Sequence, residues 1–369
     1  MGYKRFCAAL TTVLVTALAA QTLPANAARD TGWEREPVTT LTPARAVTNP
    51  LAGDNWGVYD GPADGIYPAW ELASLLNKLL LGKIALQPRT RWFGHWIPEE
   101  SIERFVREHV ASQQDGDPTR LVHMAVFRLW PLREDALDVP LTLADRAAYR
   151  RWVDNAAKGI GNARVALVLE PDLGVARNGW RPNVRYRLAR YASEVFGALP
   201  NTSVYIDASS ADWLPLDEAV TILMKAGVEN ARGFALGATH YDSVGSNIRY
   251  GRNIVNRLAA RGIRNRHFVI DTADNGRPFT MPQFRIKHPN GEFDNAPTCR
   301  TLTERKCVTL GIPPTSDVAN PKWGLSDTLR SLATKHVDGY LWFGRPWLFM
   351  QASPFDLLRA LSVARTTPY

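Results

Sequence analysis

The chain alternates between short apolar runs and longer segments in which apolar residues recur at helical spacing. The stretch VALVLEPD shows this most clearly, because five apolar residues, 165–169, are followed at once by Glu170, Pro171 and Asp172. A continuous apolar run of this length is typical of a strand that is buried on both faces. Runs of the same kind predict strands at residues 91–93, 122–127, 165–169, 204–206, 234–236, 268–270 and 340–343.

Segments with helical periodicity lie between most of the predicted strands, at residues 98–111, 143–158, 185–198, 216–225, 248–261 and 354–364. Alternating strands and helices predict an α/β fold with a parallel sheet covered on both faces. About seven strands could form a closed or nearly closed barrel, or an open doubly wound sheet. No G-x-G-x-x-G motif follows an early strand, which argues against a dinucleotide-binding fold. The proline-rich stretch 273–335 predicts a long excursion over one face.

The amino-terminal residues have the features of a secretory signal peptide. Lys4 and Arg5 precede an apolar segment at 6–20, and Ala25-Asn26-Ala27 has the small-x-small pattern of a cleavage site. A membrane anchor is the alternative, but the apolar segment is short for a membrane span. We therefore expect a signal peptide at 1–27, a flexible arm at 28–48, one domain at 49–369, a secreted protein, and no membrane attachment after cleavage.

Composition narrows the possible partners. The formal charge of +8 is scattered, and no basic run is interleaved with aromatic residues, so we expect no nucleic-acid partner. Cys299 and Cys307 have seven residues between them, and in a secreted chain this spacing predicts a disulfide. Two thiols without a nearby histidine supply too few ligands for a metal, so we expect none. We also expect a monomer.

Polar side chains follow most of the predicted strands. The carboxyl ends of parallel strands meet at one face, where the active sites of such folds lie. A single aspartate there is usually a helix cap. Carboxyl groups at several neighbouring strand ends would instead crowd into one cleft, where their mutual repulsion makes their pKa values differ. Glycoside hydrolysis uses such a combination of acids. The candidates at these ends are Glu134, Asp135, Glu170, Asp172, Asp207, His240, Asp271 and Arg345.

The motifs at these strand ends resemble those of glycoside hydrolase family 6, the inverting cellulases. NPLAGDNWGVY resembles the family's N-P-F-x-G-x-x-x-W, WFGHW its W-F-G-x-W, and VLEPD its V-x-E-P-D. VYIDASSADW is similar to V-Y-x-D-A-G-H-x-x-W, RGFALGATHY to R-G-F-A-x-N-x-S-N-Y, and FVIDTADNG to I-D-T-S-R-N-G. The resemblance runs from about residue 49 to the carboxyl terminus, and it implies a distorted, incomplete β/α barrel with its cleft at the strand ends and no cofactor.

The resemblance also implies roles for individual residues. The general acid of the family's R-D-C motif falls on Glu134, with Asp135 as the alternative, while Asp207 would favour positive charge on the sugar ring. Glu170 and Asp172 would support the acid. The implied substrate-binding residues are Trp56, Ser210, Trp213, His240, Phe293 and Arg345.

The chain departs from the family pattern after the last strand. LWFGRPWLFMQ replaces L-W-x-K-x-P-G-E-x-D-G, so Gly344, Leu348 and Met350 stand at the Lys, Glu and Asp positions. The Asp is a proposed catalytic base, and its loss leaves Asp207, Glu292 or Asp294 as candidates.

Three functions remain open at this point. The first is a β-1,4-glucan hydrolase. The second is a hydrolase of a charged polysaccharide, because His95, His240 and Arg345 replace neutral or acidic family residues. The third is a non-catalytic carbohydrate-binding relative that has lost the motif after the last strand.

Overall fold

Seven parallel strands form a single sheet in the computed structural model, which describes residues 48–129 and 139–369. The predicted signal peptide, nearly all of the predicted arm, and Glu134 and Asp135 lie outside the described residues. The strands are β1 (Arg91–Gly94), β2 (Val122–Phe127), β3 (Val165–Leu169), β4 (Thr202–Asp207), β5 (Gly233–Leu236), β6 (His267–Asp271) and β7 (Val337–Leu341).

The strand order follows the chain from β1 to β7, and every neighbouring pair is parallel. The two edge strands approach each other without forming a continuous ladder. The backbone N–H of Thr90 donates to the carbonyl of Trp342 at 2.9 Å, and Arg89 forms a single parallel bridge with Trp342. The sheet is therefore a distorted, incomplete barrel, which confirms the predicted fold class.

Inward-facing side chains fill the barrel. Ala125, Ala166 and Ala235 are fully or almost fully buried there, and Tyr205 spans the space between them. Small residues on several strands leave room for such an aromatic ring, so the interior is a packed core rather than a pore.

The described residues contain the helices α1 (Ile66–Glu71), α2 (Leu75–Ala85), α3 (Ile102–Gln114), α4 (Leu143–Ile160), α5 (Pro182–Gly197), α6 (Leu216–Lys225), α7 (Val244–Ala260), α8 (Met281–Lys287), α9 (Asp327–His336) and α10 (Leu357–Thr366). Of these, α3, α5, α7 and α9 pack directly against strands of the sheet. Six of the helices correspond to the predicted helices within a few residues. Side-chain caps fix several starts, as Thr142 does for α4 through a capping box with Asp145. Among the residues that the structure describes, no helix combines the length and apolar composition needed to span a membrane.

The excursion at 273–335 contributes to the core instead of only covering it. Phe279, Phe284 and Phe293 are buried in one cluster with side chains of α2 and α10. A disulfide joins Cys299 to Cys307, as predicted. The prediction of a long excursion over one face named no helices, whereas α8 and nearly all of α9 lie within it.

Candidate active site

The turn after β3 places two acids on either side of a proline. Glu170 and Asp172 both have positive φ values, 52° and 65°, so the chain reverses sharply at this strand end. Glu170 is 1% exposed, and its Oε2 accepts the backbone N–H groups of Arg128 at 3.0 Å and Leu129 at 2.9 Å. The Tyr149 hydroxyl donates to Oε1 at 2.9 Å. Glu170 thus fixes the end of β2, at the root of the segment that carries Glu134.

Burial determines the protonation of Glu170. Removal from water raises its pKa to about 7, although the hydrogen bonds from Leu129, Tyr149 and Arg128 act in the opposite direction. The group is therefore half protonated near neutral pH. Its hydrogen bonds and its burial suit a supporting role better than direct contact with a substrate.

Asp207, at the end of β4, is 1% exposed. Its Oδ2 accepts the backbone N–H of Ser209 at 3.1 Å, and the backbone N–H of Asp172 also acts to lower the pKa of this carboxyl group. Burial, together with the negative charge of Asp172, raises the pKa of Asp207 well above its ordinary value. Both effects favour the neutral form of this carboxyl group over the charged form. The expectation that Asp207 offers a negative charge to the sugar ring does not agree with this environment.

Arg345, after β7, lies among groups from three other strand ends. Its guanidinium carbon is 4.1 Å from the centre of the Trp92 ring in β1, and its buried Nε has no hydrogen-bond partner in the part of the chain that the structure describes. Burial lowers the pKa of Arg345 to about 10, and the negative charges of Asp64, Asp172 and Asp271 act against that lowering. Arg345 remains a cation at neutral pH and supplies positive charge to the middle of this face.

Gly344 stands where the family motif carries a lysine. A Cβ atom here would lie 2.7 Å from Oδ2 of Asp271, closer than real Cβ atoms approach other atoms. Asp271 accepts the backbone N–H of Gly344 from this position. A side chain at residue 344 therefore requires this strand end to shift.

His240 and Asp212 form a hydrogen-bonded pair between the ends of β4 and β5. His240 Nδ1 and Asp212 Oδ1 are 2.8 Å apart, and the other Asp212 oxygen accepts the backbone N–H of Met281 at 2.7 Å. Burial acts to raise the pKa of Asp212, but the hydrogen bond and the charge of His240 outweigh it, and the pKa is lowered. Trp213 stacks on the His240 ring with their centres 5.3 Å apart.

Two predicted binding residues, Ser210 and Phe293, do not present an open surface. Ser210 is fully buried, with its hydroxyl 3.5 Å from Asn247. Phe293 is 5% exposed and packs edge-on against His240 and Tyr241. Both shape the loops beneath the cleft rather than form its surface.

Trp56 lies at the opposite end of the barrel. It forms a parallel bridge with Leu121, which directly precedes β2, and its indole N–H donates to the Leu51 carbonyl at 3.1 Å. The side chain belongs to the barrel core and is 8% exposed. The expectation that Trp56 is a sugar platform does not agree with this position.

The remaining candidates for the base differ in accessibility. Glu292 is exposed and Asp294 is partly buried. The charge of Asp294 acts on Asp274 and Tyr241, whose pKa values it helps to raise. Asp294 therefore lies on the β5–β6 side of this face.

Several residues of this face were missed by the sequence reasoning. Trp92 supports Arg345, Trp96 is 50% exposed just beyond β1, and Asp212 and Asp274 are buried within the strand-end loops. All four lie inside the motifs WFGHW, ASSADW and TADNG. These four residues could have been found from the sequence if every polar or aromatic residue of the three motifs had been considered, and not only the first one after each strand.

Comparisons with known proteins agree with this geometry. The family model "Glycosyl hydrolases family 6" matches residues 66–322. Endoglucanase A of Cellulomonas fimi is 34% identical over 251 residues, which cover 68% of this chain and 51% of that protein. Endoglucanase 1 of Streptomyces halstedii is 30% identical over 197 residues, which cover 52% of this chain and 60% of that protein. The chain thus matches between half and two thirds of the length of these relatives.

Solved structures share the fold along most of the chain. The endoglucanase Cel6 from Mycobacterium tuberculosis, in complex with methyl-cellobiosyl-4-deoxy-4-thio-β-D-cellobioside, superposes with a TM-score of 0.65 at 25% identity, covering 86% of this chain and 99% of that one. The catalytic core of the cellobiohydrolase Cel6A from Chaetomium thermophilum has a TM-score of 0.61 at 17% identity, covering 87% of this chain and 99% of that one.

Proposed function

This chain belongs to glycosyl hydrolase family 6, and we propose that it is a secreted glycosidase that hydrolyses β-1,4-linked glucans. The observation that carries this proposal is the interaction of one cation, Arg345, with the carboxyl groups of Asp64, of Asp172 after β3 and of Asp271 in β6, while the charge of Asp172 also acts on the buried Asp207 of β4. Their environments differ, so their pKa values differ, and a site of this kind can hold a protonated and an ionised acid side by side.

We assign the general acid to Glu134, which would protonate the leaving oxygen, with Asp135 as the alternative. Water then attacks the anomeric carbon from the opposite face and inverts it, which requires a base about 6.5–9.5 Å from the acid. Asp207 is 1% exposed, and this burial argues against it as the base that activates a water molecule. Glu292 and Asp294 remain the candidates, acting through a chain of water molecules.

Asp172 is the better candidate for stabilising positive charge on the sugar ring. Its negative charge already raises the pKa of the neighbouring Asp207 and acts on Arg345. Sugar rings would meet Trp213 and His240 on one side of the cleft, and Arg345 over Trp92 on the other.

The test uses residues 28–369 with cellohexaose and mixed-linkage β-glucan, with the anomers followed by proton NMR. We expect fresh α-anomer from the wild type and its loss in Glu134→Gln, while Asp135→Asn keeps the activity. Loss in Asp135→Asn alone would reassign the acid. Release of β-anomer would contradict inversion.

Arg345 favours a second candidate, a hydrolase of an acidic polysaccharide, because its Nε has no hydrogen-bond partner among residues 48–129 and 139–369. The ratio of kcat/KM on carboxymethylcellulose to kcat/KM on hydroxyethylcellulose should then drop in Arg345→Gln.

The replacement of the family's Lys, Glu and Asp by Gly344, Leu348 and Met350 favours a third candidate function, a glucan-binding protein without turnover. Thermal protection by cellohexaose with no product in any variant would support that one.

A further inference from the structure

The buried carboxyl groups of Asp271 and Asp274 both lie beside Gly344, which follows β7. The position of a Cβ on Gly344 would be 2.7 Å from Asp271 Oδ2 and 3.1 Å from Asp274 Oδ2. Both acids are fully buried. Within residues 48–129 and 139–369, neither has a salt bridge to a basic side chain. Two carboxylates confined in this way repel each other too strongly for both to be ionised.

The hydrogen bonds distinguish the two acids. Asp271 accepts the backbone N–H groups of Ala273, at 3.0 Å, and of Gly344. Among the described residues, Asp274 accepts the side-chain amide of Gln351 at 3.0 Å, and the one further N–H that acts on it is its own. N–H donors favour the charged form of a carboxyl group, so the proton resides on Asp274 and the charge on Asp271.

The same groups hold the turn that carries Arg345. Asp271 binds the N–H of Gly344, and the side-chain oxygen of Gln351 accepts the N–H of Arg345 at 2.9 Å. Gln351 in turn donates to Asp274. Two successive backbone amides are therefore tied to the acid pair, and the guanidinium that follows them rests on Trp92.

We propose that Asp271 and Asp274 share one proton and, with Gln351, act as positioning residues that hold Arg345 over Trp92 in the cleft. Only the benefit to glucan binding rests on the proposed function. The proton sharing and the fixed turn do not depend on it. Loss of the shared proton would place two negative charges beside Gly344 and loosen the turn.

Other charged groups around the pair are distributed on several sides. Arg345 follows β7, Arg359 belongs to α10, and both interact with the pair electrostatically. The charge of Asp294 acts against ionisation of Asp274. Tyr241 contacts Gln351 at 3.4 Å. Burial raises the pKa of Asp271 to about 7, and burial together with the charge of Asp271 raises the pKa of Asp274 well above its ordinary value.

The first test measures the melting temperature of Asp274→Asn and of the wild type at pH 5 and pH 8. The folded pair keeps protons that the unfolded chain loses above about pH 4, so the wild type loses stability as the pH rises. Asp274→Asn lacks one of these groups. The melting temperature of the variant minus that of the wild type should therefore be at least about 3 °C higher at pH 8 than at pH 5. The control is Asp217→Asn at a side chain that is 67% exposed, where the difference stays constant. A constant difference for Asp274→Asn as well would overturn the shared proton.

The second test measures hydrogen exchange in the peptide that contains Gly344 and Arg345, and the affinity for cellohexaose. Gln351→Leu should speed the exchange and weaken binding severalfold, and Arg345→Gln should weaken binding by a similar factor. The double variant should bind no more weakly than either single one, since both act through the same guanidinium. Additive losses, or unchanged exchange in Gln351→Leu, would overturn the positioning role. A wild type that binds no cellohexaose would contradict the proposed function instead, while the melting and exchange results would still decide the acid pair.

Discussion

Replacement of Asp338 separates the part of the barrel that stabilises the fold from the part that we propose to be catalytic. Asp338 is the second residue of β7 and is 1% exposed. Its two oxygens accept Nε and Nη2 of Arg232 at 2.8 and 2.9 Å, and Oδ2 also accepts the Tyr205 hydroxyl at 2.8 Å. The His267 ring lies 3.4 Å away. Asp338→Asn removes the charge and turns an amide N–H₂ toward the Arg232 donors.

The expected loss of stability is large, because the variant leaves a buried cation without a partner. The Arg232 side chain is 7% exposed. Burial acts to lower its pKa, but the hydrogen bond and the charge of Asp338 outweigh burial and raise it. Breaking a buried ion pair from one side costs about 3–5 kcal/mol of unfolding free energy. At about 2–4 °C per kcal/mol, this corresponds to a melting temperature roughly 10 °C lower.

The assay is urea unfolding at pH 7 followed by tryptophan fluorescence, with turnover of cellohexaose measured at 25 °C. Asp338 precedes the end of β7 by three residues, about 10 Å along the strand, so kcat should stay within about twofold of the wild type. Asp327→Asn, at a side chain that is 93% exposed, is the matched control and should cost less than about 0.5 kcal/mol. A loss of unfolding free energy below about 1 kcal/mol for Asp338→Asn would contradict the predicted cost of breaking the buried ion pair. A folded variant without turnover would contradict the prediction that Asp338 stabilises the fold without taking part in catalysis.

Three further predictions concern the strand-end face. The pKa of Glu170 is raised from 4.5 to about 7, so the folded state loses stability as the pH rises through this range. The free energy of unfolding of Glu170→Gln, relative to that of the wild type, should therefore increase by about 3 kcal/mol from pH 4 to pH 8. The same difference between variant and wild type at both pH values would contradict this. Gly344→Ala should lower the free energy of unfolding by about 1–3 kcal/mol, because its Cβ meets Asp271, and an unchanged thermal unfolding curve would contradict this contact. Trp96→Ala should weaken cellohexaose binding by about threefold to tenfold, as expected for a lost aromatic contact, and calorimetry measures this change. An unchanged affinity would show that Trp96 does not contact the sugar.

The strands could be predicted because parallel strands buried on both faces leave an unmistakable apolar run, as 165–169 does. The helix α2 could not be, since its sequence LLNKLLLGKIA is apolar on all sides and shows no helical stripe. Leu75 is 77% exposed there and Leu81 is fully buried, a difference that depends on packing against α10. The helices α8 and α9 were hidden by the prolines and polar residues around them.

The candidate site was predictable as far as topology determines it. The strand-end rule placed Asp207, Asp271 and Arg345 at one face, because the carboxyl ends of parallel strands must meet there. It could not show that Trp56 belongs to the other end, since that depends on a bridge to Leu121, which is 65 positions further along the chain. It also could not show that burial and the charge of Asp172 raise the pKa of Asp207, because that pKa depends on contacts between distant segments.

The central claim is that this cleft hydrolyses a β-1,4-glucan with Glu134 as the acid. Proton NMR of cellohexaose hydrolysis by the wild type and by Glu134→Gln tests it most directly, with circular dichroism and thermal melting to establish that both are folded. The account predicts α-anomer as the first product of the wild type, and a loss of at least about a hundredfold in turnover for the variant. Undiminished turnover in a folded Glu134→Gln protein, or no turnover by a wild type that cellohexaose protects from thermal unfolding, would contradict it.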